Sequence, residues 1–233
     1  MENKTVAQIV ASDMRTSIIF KKYGIDFCCG GGKPVTEACK GKDVEASTIF
    51  SEIDNLDVGK EDTDYNSMNL DVLASYIQKV HHSYVSEATP IILQFADKVA
   101  KVHGHAHPEN IEIAKLFREI SIELQQHMIK EEGILFPHII NLAIANRNGE
   151  KISVPFGSVQ NPIRMMEHEH DTAGDIIKKI EKLTNNFTPP AHACNTYKAL
   201  YHHLKEFQDD LHIHIHLENN ILFPKAIEME KNS

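Results

Sequence analysis

The spacing of apolar residues changes character along the chain. Over residues 1–56, Val6, Ile9 and Val10, then Ile18 and Ile19, then Val44, Ile49, Phe50 and Ile53 recur at helical intervals. The run Cys28-Cys29-Gly30-Gly31-Gly32-Lys33-Pro34 interrupts them as a loop. Residues 57–69 are polar and almost without period, which predicts a linker behind a small helical domain at 1–56. From Leu70 the helical period resumes over four long stretches, 70–102, 109–147, 160–186 and 190–229. His103–Pro108, Asn148–Pro155 and Asn185–Pro190 separate them with turn-forming and helix-stopping residues. The expectation is an all-α chain, with a four-helix bundle over 70–233 following the small helical unit.

The bundle region repeats itself. His127-Met-Ile-Lys-Glu131-Glu-Gly-Ile-Leu-Phe-Pro137 matches His214-Ile-His-Leu-Glu218-Asn-Asn-Ile-Leu-Phe-Pro224 in one register. Upstream of each copy stands a histidine at a matched distance, His82 before His127 and His170 before His214. Each half therefore reads as a copied helix hairpin. On a helix, residues four apart share a face one turn apart, so His127 with Glu131, and His214 with Glu218, each aim two ligand atoms at one point. A single His-x-x-x-Glu pair is ordinarily a solvated face; two copies in register, each with a partner histidine, point to a shared site.

Composition changes this picture in four ways. The formal charge of −9 argues against a broad nucleic-acid-binding face, which needs clustered Lys and Arg. No apolar run approaches membrane-spanning length and the first residues lack an export pattern, so a soluble cytoplasmic protein with no membrane partner is expected. The four cysteines, at 28, 29, 39 and 194, make a poor disulfide framework and are expected as reduced thiols. Histidine is over-represented, with 15 copies.

Four imidazoles (His82, His127, His170, His214) and two carboxylates (Glu131, Glu218) suit a pair of ions, each taking two histidines while both carboxylates bridge. Structural zinc more often takes thiolates, and magnesium or calcium takes oxygen donors throughout. Mixed imidazole and carboxylate donors in a bundle favour iron or manganese, iron better suiting four imidazoles. The Ile-Leu-Phe residues at 134–136 and 221–223 are expected as apolar packing beyond the ligands, with Pro137 and Pro224 bending or tightening each helix.

Other residues invite a role beside a plainer one. Glu123, one turn before His127, and Glu169, beside His170, are candidates for a proton relay or iron-exit carboxylate, against a helix-surface role. Cys28 and Cys29 are candidate redox thiols if exposed beside their glycine-rich loop, against simple packing in a turn. Cys39 and Cys194 read as incidental buried residues, and His202, His203, His212 and His216 as outside the ligand set; His103, His105 and His107 form an alternating tract that reads as a solvated loop, against the capture of a stray metal ion.

Taken together, Asp26-Phe-Cys-Cys-Gly-Gly31, Glu131-Glu-Gly-Ile-Leu-Phe-Pro137, Glu167-His-Glu-His-Asp-Thr-Ala-Gly174 and Leu217-Glu-Asn-Asn-Ile-Leu-Phe-Pro224 resemble the di-iron iron-sulfur cluster repair proteins, the RIC family with a hemerythrin-like domain. The resemblance runs nearly the whole length. It implies a hemerythrin-like four-helix bundle holding an oxo- or hydroxo-bridged di-iron centre, two irons per chain, on the same six residues. It implies a cytoplasmic stress protein that restores iron-sulfur proteins damaged under nitrosative or oxidative stress, by iron donation or removal of nitric oxide, with a nitric oxide reductase-type activity as one form of the latter. Nitric oxide and oxygen are its expected small ligands; a homodimer is compatible with the reading. The family's first helix usually has Tyr before the ligand where this chain has His81, so His81 stands as the alternative to His82. The rival reading is a hemerythrin-like protein that binds or senses oxygen or nitric oxide. Oxygen carriers usually have an additional histidine at one metal, whereas the positions four residues after His82 and His170 are Ser86 and Gly174.

Overall fold

The computed structural model describes residues 4–56, 63–150 and 157–232. Part of the expected linker (57–62) and of the break near 151–156 lies outside the described residues. Helices account for the regular structure; among the described residues the one β feature is an isolated bridge between Thr5 and Pro34.

By internal contacts the chain parts into two units, the first comprising Met1–Ala74, Ile139–Ser153 and His212–Ser233. It contains α1 (Val6–Ser12), α2 (Thr16–Lys22), α3 (Val35–Ala38) and α4 (Ala46–Asp54). Thr5 caps α1 in a reciprocal box with Gln8, and the glycine loop returns to satisfy the helix start: Val6 N–H donates to the Lys33 carbonyl at 2.9 Å and Ala7 N–H to the Gly31 carbonyl at 2.8 Å. Gly31 is obligatory there, since a Cβ would stand 2.4 Å from the Phe27 carbonyl oxygen. Val6, Ile9, Val10, Ile19, Phe20, Phe27, Val35 and Ile49 form the small core. Ile18 differs from the expected pattern and faces solvent, because its neighbour Ile19 takes the inward direction and successive helix residues point about 100° apart.

The second unit, Ser75–His138 and Val154–Leu211, packs four helices on one another. These are α6 (Ser83–His103), α7 (Glu109–Lys130), α9 (Gln160–Leu183) and α10 (Asn195–Leu217) as far as Leu211; α5 (Leu70–Ile77) precedes α6 along the chain, and α8 (Phe136–Asn148, from Ile139) and α11 (Phe223–Lys231), which follow α7 and α10, belong to the first unit. In this unit α7 packs on α6 and α9. The α10 ring Phe207 meets Phe117 of α7 edge-on at 5.1 Å and Tyr84 of α6 at 6.4 Å. Gln208 of α10 donates to Glu181 of α9 at 2.9 Å.

Each long helix buries one stripe. In α7 it runs Ile113, Phe117, Ile120, Leu124, His127; in α10, Leu200, Leu204, Phe207, Leu211, His214; in α9, Ile163, Met166, His170, Ala173, Ile177, Ile180. The histidines thus occupy positions the core would otherwise give to leucine. Two helix boundaries fall inside the expected ones. Asn185, Asn186 and Phe187 all adopt positive φ (48°, 54° and 54°), which stops α9 at Leu183. Residues 190–194 after Pro189 form a turn, and α10 begins at Asn195.

Candidate metal centre

Three π-helical turns interrupt the long helices, Gln78–His82, Glu131–Leu135 and Glu218–Leu222, and each contains one of the six residues selected from the repeat. A π-turn inserts one residue into an α-helix, and such insertions concentrate at functional sites. The insertion is visible as phase. Buried positions in the second helix advance by alternating fours and threes to His127 and then by fours through Glu131, Leu135 and Ile139; in the fourth they do the same after His214, through Glu218, Leu222 and Ala226. Pro137 and Pro224 sit just behind, where a proline removes the N–H that would close an ordinary turn onto the residue four before it.

Within the second unit His82, His127, Glu131 and His170 are buried together, with Glu131 0% exposed. Glu131 Oε2 stands 3.3 Å from His82 Nε2 and 3.2 Å from His127 Nε2, and His127 Nε2 stands 3.0 Å from His170 Nε2. Within the first unit His214 Nε2 lies 3.1 Å from Oε1 of the equally buried Glu218. Two groups have all their ligand atoms within 4.8 Å of one another: His82, Glu131, His214 and Glu218, and His127, Glu131, His170 and Glu218. Both glutamates belong to both groups. Burying carboxylates among imidazoles is costly without a compensating cation, and imidazole with carboxylate suits iron, manganese or zinc better than calcium or magnesium. The donor set therefore fits transition-metal ions.

Side chains around this set fix its imidazoles. A carboxylate can only accept, so His82 Nδ1–H donates to Glu132 at 2.8 Å and His127 Nδ1–H donates to Glu169 at 2.9 Å, leaving both Nε2 lone pairs toward the centre. Lys130 also pairs with Glu169. Burial alone would raise the Glu169 carboxyl, but its hydrogen bonds to Lys130 and His127 hold it below the usual range. Burial, and then the charges of Glu119 and Glu169, push Glu123 the other way. His82 stacks on Phe136 at 5.4 Å. His81 turns elsewhere, with Nδ1 2.8 Å from Asp210, and belongs to neither group. Glu132, Lys130 and Asp210 carry no marker in the sequence; only the packing of neighbouring helices reveals them.

Three expectations need correction. Leu135, Phe136, Ile221, Leu222 and Phe223 are buried, but Ile134 is 55% exposed. Its counterpart Ile221 lies on a turn that α1 packs against. Cys194 is exposed and not buried, because it stands on the turn ahead of α10. Cys28 is not an exposed thiolate: it is 6% exposed, and the Cys29 hydrogen bond, burial and the Asp26 charge push its thiol well above the ordinary range. Cys29 is half-buried. The loop is held by the last helix, where the fully buried His216 donates from Nδ1 to the Phe27 carbonyl at 3.1 Å and Asn220 donates to the Cys28 carbonyl at 3.0 Å. Burial lowers the His216 pKa to about 4, keeping that ring neutral.

Residues 73–226 match the hemerythrin HHE cation-binding domain, and residues 2–57 match a domain of unknown function (DUF542). A probable iron-sulfur cluster repair protein of Haemophilus influenzae is 38% identical over 95% of this chain and 97% of its own length. The iron-sulfur cluster repair protein ScdA of Staphylococcus haemolyticus is 35% identical over 94% of this chain and 96% of its own. The iron-sulfur cluster repair protein YtfE of an Enterobacter species is 36% identical over 98% of each.

Proposed function

The chain belongs to the iron-sulfur cluster repair family with a hemerythrin cation-binding domain, and on that premise we propose that it holds two irons on His82, His127, Glu131, His170, His214 and Glu218 and uses them to restore damaged iron-sulfur proteins. The observation that carries the two-metal reading is the sharing of Glu131 and Glu218 by two ligand groups that otherwise divide the histidines two and two. A carboxylate common to both groups would serve two cations at once, and two such carboxylates would offset part of their charge.

Bound iron would supply one-electron chemistry and coordination positions for a small ligand such as nitric oxide or oxygen. The chain's own contribution is orientation and exclusion of water. Glu132 and Glu169 hold two imidazoles from behind, and Leu135, Phe136, Ile221, Leu222 and Phe223 dry the adjoining core. Glu123, its carboxyl pushed up by burial and then by the charges of Glu119 and Glu169, is assigned as the carboxylate for passing protons, and Glu169, held ionised between Lys130 and His127, as a waypoint for departing iron. Of the vicinal cysteines, Cys29 is the one accessible to a partner, Cys28 serving the loop's packing. Ser86 and Gly174 offer no further imidazole, and the names of the relatives favour repair over oxygen carriage. No described helix is long and apolar enough to cross a membrane.

The test is incubation of the protein, loaded with isotopically labelled iron, with a nitric-oxide-damaged iron-sulfur enzyme. Recovery with label in the rebuilt cluster supports donation; recovery without label supports nitric oxide removal. Absence of recovery in both the damaged enzyme and nitric oxide consumption overturns the reading.

A further inference from the structure

Where α6 gives way to α7, three histidines and a cysteine gather around one tyrosine. The His107 N–H donates to the His103 carbonyl at 2.8 Å, placing these residues one turn apart, and both rings lie against Tyr197 at 5.4 and 6.1 Å. The turn ahead of α10 brings His192 and Cys194 to the same place. His192 Nε2 stands 2.9 Å from His107 Nε2, and Cys194 Sγ stands 3.5 Å from His103 Nε2. Buried Asn110 pins the arrangement, donating to the His107 carbonyl at 3.2 Å and the Tyr197 hydroxyl at 2.7 Å.

We propose that His107 and His192 are the imidazole pair of a second, solvent-reachable site for a late first-row divalent cation such as zinc. His107 Nδ1–H donates to Glu109 at 3.0 Å, so its Nε2 lone pair faces His192. The central site contains the same arrangement: Glu169 on His127 Nδ1 at 2.9 Å, and His170 Nε2 facing His127 Nε2 at 3.0 Å. A tetrahedral ion with metal-nitrogen bonds of about 2.0–2.1 Å holds its imidazole nitrogens about 3.3 Å apart, so the His107–His192 pair opens by only a few tenths of an ångström to admit one. Two imidazole donors bias the site toward zinc, nickel or copper over magnesium or calcium, which take oxygen donors. The two sites are separate, since the stretch of α7 from Glu109 to His127 spans about 27 Å at the helical rise. Water would complete the coordination of this half-exposed pair, making the cation exchangeable.

Zinc titrated calorimetrically into the iron-loaded full-length protein tests this. One saturable zinc per chain is expected beyond the iron. His192→Ala, on an exposed turn, should weaken it by more than the roughly 10-fold that losing an outer carboxylate costs, Glu109→Gln by about that 10-fold, and His105→Ala hardly at all. Iron content and helical circular dichroism report whether each variant folds. Absence of saturable zinc binding, or equal zinc affinity in the wild type and a folded His107→Ala/His192→Ala variant, overturns the proposal. The comparison between wild type and His192→Ala does not depend on which ion fills the central site, so it fails or succeeds independently of the di-iron reading.

Discussion

Glu169 accepts from Nδ1 of His127 at 2.9 Å, on the ring edge opposite the Nε2 that faces Glu131 and His170. That carboxylate fixes which nitrogen is protonated and strengthens the other as a donor, while Lys130 keeps the carboxylate itself ionised. Glu169→Ala is expected to lower iron affinity about 10- to 100-fold. Glu169→Gln, which still accepts through its amide oxygen, should lose less. Competition with a chromophoric chelator measures both, and equal affinity in all three proteins would remove the orienting role.

Glu131 and Glu218 offer a sharper test, since each stands in both ligand groups. Replacing either by leucine should remove both irons together, read by metal analysis and by loss of the coupled binuclear signal. Loss of one iron with the other intact would count against sharing. Without metal, Glu131→Leu removes a fully buried carboxylate whose neighbours His82 and His127 can both be neutral, so the metal-free variant should resist urea at least as well as metal-free wild type.

Phe207 occupies the α10 stripe two places before His214 and meets Phe117 edge-on. Phe207→Ala should cost about 3–5 kcal/mol in denaturant unfolding. Phe95→Ala, on a ring that stacks on the outward His203, should cost clearly less. Similar losses would mean that the stripe is not the energetic core.

Cys28 should alkylate slowly in the folded protein. The Cys29 hydrogen bond, burial and Asp26 all favour its neutral thiol, so the thiolate fraction at mildly alkaline pH is depressed and rises only at higher pH than for an ordinary cysteine. Peptide mass spectrometry after iodoacetamide treatment should show Cys194 and Cys29 modified first, with Cys28 catching up in urea. Equal rates in the native protein would contradict its burial.

Much of this was legible in the residues. The apolar period marked the long helices, and the repeated His-x-x-x-Glu with its Ile-Leu-Phe-Pro tail selected the six residues that the two ligand groups contain. Side-chain direction was less legible. Ile134 and Ile221 hold the same place in the repeat, yet one is solvated and the other buried, because burial depends on what packs over a turn and the two copies have different neighbours. Cys194 is exposed by its place on the turn ahead of α10, and Ile18 because Ile19 takes the inward direction of α2.

Which positions share a helix face is readable from the residues alone, since the spacing of donors along one helix follows from its pitch. Tertiary structure decided what stands behind each donor: Glu132 is 50 residues from His82 and Glu169 is 42 from His127, separations across which local periodicity carries no information. It also brought the loop histidine His192 onto His107, 85 residues away. Contacts between helices are set by which stripes pack and in what register, and the two-fold repeat, being local, could specify the ligands without specifying the groups that hold them.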